Sequence, residues 1–167
     1  MLVRLALEHE AELIVEMAAI NAAQTKPEHV FNPDRVREVF ASYIAGADPT
    51  IWVVEDRNRA VVGFLSAGIC AYDFTDGIFT TQKVLFVRPE SRGSRASAVL
   101  MRHLIEWSKR LGAKEIVGGN DNGFNSERTA RFLEHFGFRR VGYAMTLGLG
   151  DGRQERRQQP GSGAGAG

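Results

Sequence analysis

The stretch VLFVRPESRGSRASAVL, residues 84–100, passes from an apolar run of β type into an amphipathic helix through Arg92, Gly93, Ser94, Arg95, Ala96 and Ser97. Backbone N–H groups at a helix start lack intrahelical partners and carry a partial positive charge. A strand running straight into a helix therefore makes a seat for an anion such as a phosphate. Arg92 would add a full positive charge beside that seat. The same residues also suit a plain strand-to-helix connection, so the surrounding elements have to decide.

Periodicity supplies those elements. Downstream, Leu100, Leu104, Trp107 and Leu111 repeat at helical spacing, with Arg102, Glu106 and Arg110 on the opposite face and Gly112 as a stop. Upstream, residues 78–87 read as a strand. It follows TIWVVE (50–55), a DRNR turn and AVVGFLSAGICAY (60–72), which form a hairpin. LVRLAL near the N-terminus alternates weakly as a first strand, and Leu13, Met17 and Ile20 mark a helix from about Glu8 to Ala23. Asn32 before Pro33 is an N-cap signal for a second helix, which carries Val36, Phe40 and Ile44 and ends near Gly46. EIVGG (115–119) reads as a short buried strand and residues 125–136 as a helix with Ala130, Phe132, Leu133 and Phe136 inward. In FRRVGYAMTLGL (138–149), Val141, Tyr143, Met145 and Leu147 alternate with smaller or polar residues, which predicts a last, half-buried edge strand offering a surface for pairing. The order is βααβββαβαβ.

A chain of 167 residues with a formal charge of +1 has room for one domain with a real core. Near-neutral charge gives no general attraction to nucleic acid or acidic membranes. The single cysteine, Cys70, excludes an internal disulfide and reads as a small buried hydrophobe. No His or Cys cluster has metal-ligand spacing. The N-terminus lacks the apolar run of a signal peptide and no stretch reaches bilayer length, so a cytoplasmic protein without membrane contact is expected. The domain is expected over residues 1–149. Residues 150–167, DGRQERRQQPGSGAGAG after Gly150, read as a Gly/Arg-rich tail that cannot bury enough apolar area to offset its ordering.

With these elements in place, VRPESRG leading into a helix and NSERTARFLEHFGF some thirty residues later resemble the GNAT superfamily of acyl-CoA-dependent N-acyltransferases. The likeness spans roughly residues 2–147. It rests on Val87, Pro89, Arg92 and Gly93 with Leu100 and Gly112, then on Asn125, Ala130 and HFGF (135–138). The resemblance implies an α/β (α+β) fold: a mixed, mainly antiparallel sheet of six to seven strands flanked by about four helices. It implies acetyl-CoA as cosubstrate, lying between splayed fourth and fifth strands. By position, the Leu85 N–H would polarise the thioester carbonyl, and Leu85, Phe86 and Val87 would hold the pantetheine arm, with Val87 bonding its amide. Arg92, Gly93, Ser94, Arg95, Ala96 and Ser97 would take the diphosphate, and Asn125 would reach the arm from the other side.

The chain departs from the family pattern at several of these positions. Arg95 and Ser97 stand where the loop usually has small residues, as in members encoded by phages or their relatives. No N–H is lost, and if position 95 is already helical the arginine costs nothing. Leu133 stands where many members carry a tyrosine acid, and Thr81 where several carry a glutamate base. Direct attack by an amine, with alignment and carbonyl polarisation, remains open. Substitute groups are Asp73, beside Tyr72 and Asp76 where the acceptor amine would arrive, and Tyr143 across the cleft. Each also fits a plain role, as a solvated turn and as strand packing. Lys83 fits either the cleft or ordinary surface, and His103 and His135 fit structural roles. The expected function is N-acetyl transfer to a small-molecule or protein amine. The alternative is a catalytically degenerate GNAT-fold binding or assembly module, with the tail as a candidate homo-oligomer or assembly contact. Nucleic-acid binding through the arginines at 153, 156 and 157 is a weaker third reading.

Overall fold

The computed structural model describes residues 1–119 and 123–149. The tail at 150–167, its arginines and any contact it makes lie outside the described residues. Among the described residues, strands and α-helices follow one another as β1 (Leu2–Leu5), α1 (Ala11–Thr25), α2 (Pro33–Gly46), β2 (Thr50–Glu55), β3 (Val61–Ala71), β4 (Ile78–Val87), α3 (Ala96–Arg110), β5 (Ile116–Val117) and α4 (Ser126–Glu134), with 3-10 turns at Glu8–Glu10 and Pro89–Ser91. The strands form one sheet in the order β1-β2-β3-β4-β5, antiparallel except for the parallel β4–β5 pair.

Local chemistry explains most boundaries. Asn32 caps α2, its Oδ1 accepting from Asp34 N at 3.0 Å and Arg35 N at 3.2 Å, with Pro33 at the first helical position. β2 and β3 are buried along most of their length because helices cover both sheet faces. On one face α1 and α2 bury Ile14, Met17, Phe40 and Tyr43 against Ile51, Val53, Phe64 and Phe86. On the other, α3 buries Leu100, Met101 and Leu104 against Trp52, Val54, Leu65 and Ala67, joined by Leu133 from α4. Arg4 ties β1 to this frame, pairing with the buried Glu10 at 2.7 Å and Glu55 at 2.6 Å. Its guanidinium holds the Glu10 carboxyl below the usual carboxylate range.

The sheet has five strands among the described residues, against the six to seven expected. Residues 138–149, expected as the last strand, are irregular and join no strand of the sheet among the described residues; Phe138 N instead bonds Leu133 O at 3.2 Å, and Arg140 pairs with Glu127 and Glu134 on α4. Alternation shows only that a segment could be a strand, and pairing needs a neighbouring edge. Cys70 is half-buried rather than buried. Among the described residues no helix is long and apolar enough to cross a membrane.

Candidate functional site

The site begins with one extra residue. β3 and β4 pair Ser66 with Val84 and Ala67 with Gln82, which leaves Lys83 as a bulge on β4. Before the bulge, even-numbered residues face β5: Lys114 N donates to Ile78 O at 2.9 Å and Thr80 N to Glu115 O at 3.1 Å. After it, Arg88 N donates to Val62 O at 2.9 Å, and antiparallel alternation then sets Phe86 and Val84 in the ladder with β3. Leu85 and Val87 therefore turn their N–H and C=O groups away from β3. The β4–β5 pairing stops at Thr81 and Val117, so those groups open into a gap. The bulge also exchanges side-chain faces, sending Leu85 and Val87 to the α3 core while Val84 and Phe86 go to the α1–α2 core.

The gap is a cleft of about 290 Å³ bounded by β4, the end of α1, the loop into α3 and the start of α4. Of the residues expected to hold a cofactor, Leu85, Phe86, Val87, Arg92, Gly93, Ser94, Ser97 and Asn125 line it. Arg95 and Ala96 do not line it, and Ala96, the first residue of α3, is fully buried. Gly93 has φ +84, a conformation that favours glycine and turns the chain into the helix. Arg95 sits at φ −79, ψ 0, so no left-handed strain attends the arginine there. Two donors of the turn have partners: Ser94 N bonds Ser91 O at 3.3 Å and Ala96 N bonds Ser94 Oγ at 3.2 Å. Arg92 folds across the cleft, its Nε donating to Val87 O at 3.2 Å and Nη2 to Gln24 Oε1 at 2.5 Å.

Asn125 opens α4 at φ +51, a left-handed conformation that asparagine tolerates, and its carbonyl accepts from Thr129 N at 3.0 Å. The ionisable side chains lining the cleft, among the described residues, are Lys83, Arg92 and Arg128, all cations. Sequence reasoning did not single out Gln82, whose Oε1 is buried without a hydrogen-bond partner among the described residues. It lies where β4 and β5 begin to part, close to Gly118. A buried acceptor left unpaired costs about 1–3 kcal/mol, so a ligand donor would be welcome there. No pattern in the sequence marks it, because the bulge that sets its position carries neither Gly nor Pro.

The other candidates lie apart from this cleft. Asp73 is exposed in the 72–77 turn and does not line it. That turn is tied down beside β5, with Tyr72 Oη donating to Glu115 Oε1 at 2.8 Å and Lys114 Nζ bonding the Asp76 carbonyl. The Glu115 contact raises the Tyr72 hydroxyl's pKa. Tyr143 is exposed in the irregular 138–149 segment. Leu133 is buried in the α3 core, and Thr81 pairs with Gly68 on one side and Val117 on the other. His103 stacks edge-on against Trp52 at 5.4 Å, and His135 lies edge-on to Phe136 at 5.3 Å.

A family model described as an acetyltransferase (GNAT) domain matches residues 47–140. No curated protein matches the chain significantly. Solved structures with this fold include a tetramutant of the BH1408 protein of Bacillus halodurans, with TM-score 0.71 at 20% identity over 89% of this chain and 100% of that one. A predicted acetyltransferase from Clostridium acetobutylicum, solved with acetyl-CoA, gives 0.73 at 16% identity over 89% and 96%. Glucosamine-6-phosphate N-acetyltransferase from Arabidopsis thaliana gives 0.69 at 15% identity over 89% and 97%.

Proposed function

Because the chain belongs to the GNAT acetyltransferase family, we propose that it transfers the acetyl group of acetyl-CoA to a primary amine by direct attack. The observation that carries this reading is the Lys83 bulge, which turns the Leu85 and Val87 main-chain groups into the cleft beside the Gly93 turn. The Leu85 N–H would polarise the thioester carbonyl and Val87 would bond the pantetheine amide. The helix start at Gly93–Ser97 and the cations Arg92 and Arg128 would take the diphosphate. Val87 O is occupied by Arg92 Nε, so pantetheine would displace that side chain toward the phosphates.

In the reaction the amine nitrogen forms a bond to the carbonyl carbon as the C–S bond breaks. The sulfur leaves as thiolate and takes the proton that the nitrogen sheds, through water. No carboxylate, histidine or tyrosine lines the cleft among the described residues, which favours an amine that arrives unprotonated over one deprotonated by the protein.

Calorimetric titration with acetyl-CoA, followed by thiol release across a panel of primary amines, tests the proposal. Binding in the micromolar range with amine-dependent thiol release is expected, and no binding at millimolar acetyl-CoA would end it. A second reading, a GNAT-fold module that binds or assembles without chemistry, draws on Leu133 and Thr81 at the positions of the usual acid and base. Tight acetyl-CoA binding with no transfer to any amine would favour it.

A further inference from the structure

Of the cations lining the cleft, Arg92 and Arg128 flank the Gly93 turn and the start of α4, where a diphosphate would occupy them. Lys83 stands apart, exposed on the β4 bulge. Along β3, Phe64 faces the α1–α2 core while Leu65 and Ala67 face the α3 core, so alternation puts Gly68 on the α1–α2 face. Lys83 lies across that glycine: a Cβ at Gly68 would stand 2.8 Å from Lys83 Cε and 3.4 Å from Nζ. The lysine stem thus rests on the sheet in space that a side chain at 68 would take up. Its ammonium has no ion-pair partner among the described residues, and it lines the cleft with Asn21, Gln24 and Thr25 from the last turn of α1.

Building on the acyl-transfer reading, we propose that the acceptor is an amine carrying an anionic group, a carboxylate or a phosphate, which Lys83 binds. Charge selects this class. Cations line the cleft and no carboxylate does among the described residues, so a polyamine is repelled and an anion attracted. Lys83 precedes Leu85 by two residues, within about 7 Å along a strand, a separation that one small molecule spans. The same cation serves the chemistry. Without a base in the cleft the acceptor has to react as the neutral amine, and a substrate's own anion works against that by favouring the ammonium form. Pairing the anion with Lys83 cancels this effect, and a positive charge nearby favours the neutral amine directly.

Initial rates with acetyl-CoA test the assignment on matched pairs: glycine against glycinamide, β-alanine against its amide, and 2-aminoethyl phosphate against ethanolamine, with spermidine as the polycation. The anionic members should show kcat/KM higher by about tenfold or more, the scale of one charge-assisted bond. Their amines are the more basic, so this preference runs against intrinsic reactivity, and the pair with the largest ratio names the anion. Lys83→Met should abolish the ratio and raise KM for the anionic members, whereas Lys83→Arg should keep most of it. Gly68→Ala, which meets chiefly the far end of a flexible side chain, should shrink the ratio with the charge still present. Neutral members or spermidine turned over as fast as the anionic ones, or a ratio unmoved by Lys83→Met, would overturn the assignment and leave acyl transfer standing. Acetyl-CoA bound with no amine acetylated would instead end the acyl-transfer reading, and this assignment with it.

Discussion

On one wall of the cleft, β4 runs for ten residues with β3 bonded along it, helices covering both faces. On the other wall, β5 offers two paired residues, followed by α4 and an uncovered segment. The difference assigns separate tasks. The β4 wall can hold main-chain donors in fixed positions, which electrostatic stabilisation of a developing oxyanion requires. The β5 wall, with two paired residues, has fewer bonds to hold it and is freer to adjust. Local stability should follow the same division, highest around β2–β4 and α3 and lowest beyond β5.

The largest effect expected from this division is in packing. Leu104 is fully buried on α3, and Leu104→Ala should cost about 2–5 kcal/mol through lost contacts and a cavity. Val117 on β5 is half exposed, and Val117→Ala should stay within about 0.5 kcal/mol. Urea denaturation of both variants measures the contrast, and equal losses would break it. Next comes the chemistry of the fixed wall. Leu85 N–H takes no part in the β3 ladder, so Leu85→Pro removes a cleft donor without removing a sheet bond. Turnover should fall about 10²–10³-fold, the scale for losing one oxyanion donor. Phe86→Pro, one residue along, removes a ladder bond within a buried core position and should unfold the domain. A Leu85→Pro enzyme that is folded and fully active would show that the donor is not used.

Gly63 sharpens the point from the opposite strand. It pairs with Val87, and a Cβ there would stand 2.5 Å from Phe86 O. Gly63→Ala must therefore push β3 and β4 apart at the level of the cleft donors. A stability loss of about 1–3 kcal/mol is expected, with acetyl-CoA affinity falling alongside it. Affinity unchanged despite the stability loss would mean the donors tolerate movement.

How far the sequence foretold this arrangement depends on whether each signal was local. The Asn32–Pro33 cap, the 50–71 hairpin and the α3 stripe ending at Gly112 were legible because capping, turn chemistry and 3.6-residue periodicity act within a few residues. The side of β4 that faces the gap was not legible from periodicity, because Lys83 shifts the parity and looks like any strand residue. Positions 85 and 87 came instead from a family resemblance. Gln82 was missed for the same reason. Residues 138–149 carry the strongest alternating pattern of the C-terminal part, yet form no strand, since pattern specifies a face and not a partner. Asp73 and Tyr143 lie in a turn and an irregular segment, where neither periodicity nor capping specifies position, and both are exposed.

A smaller effect is expected at Arg92, which spans the two walls through Val87 O and Gln24. Arg92→Ala opens the Val87 carbonyl to pantetheine but removes a cation from the phosphate side. Charge should outweigh access, because a charge-assisted bond exceeds the exchange of one neutral acceptor for another. Acetyl-CoA affinity should fall about tenfold, with Arg92→Lys recovering part of it. Tighter binding by the alanine variant would identify Arg92 as a plug.

The smallest effect concerns how the well-packed half responds to acid. Burial first, and then the Arg110 charge, lower the His103 pKa below its ordinary value of 6.5. With a depressed folded pKa, the unfolded chain binds the proton more readily. The contribution to stability is therefore complete above pH 6.5 and declines as pH falls through that value toward the folded pKa. The carboxylates whose pKa is lowered by arginine partners, Glu10 among them, lose their contribution in a separate window below about 4.5. Urea midpoints should thus drop modestly between pH 7.5 and 5.5, and His103→Phe, which keeps the edge contact to Trp52, should flatten that interval. An unchanged slope in His103→Phe would place the acid sensitivity elsewhere. A slope of opposite sign would mean that the imidazole is charged in the folded protein, and that solvent reaches further under α3 than the edge-on contact of His103 with Trp52 implies.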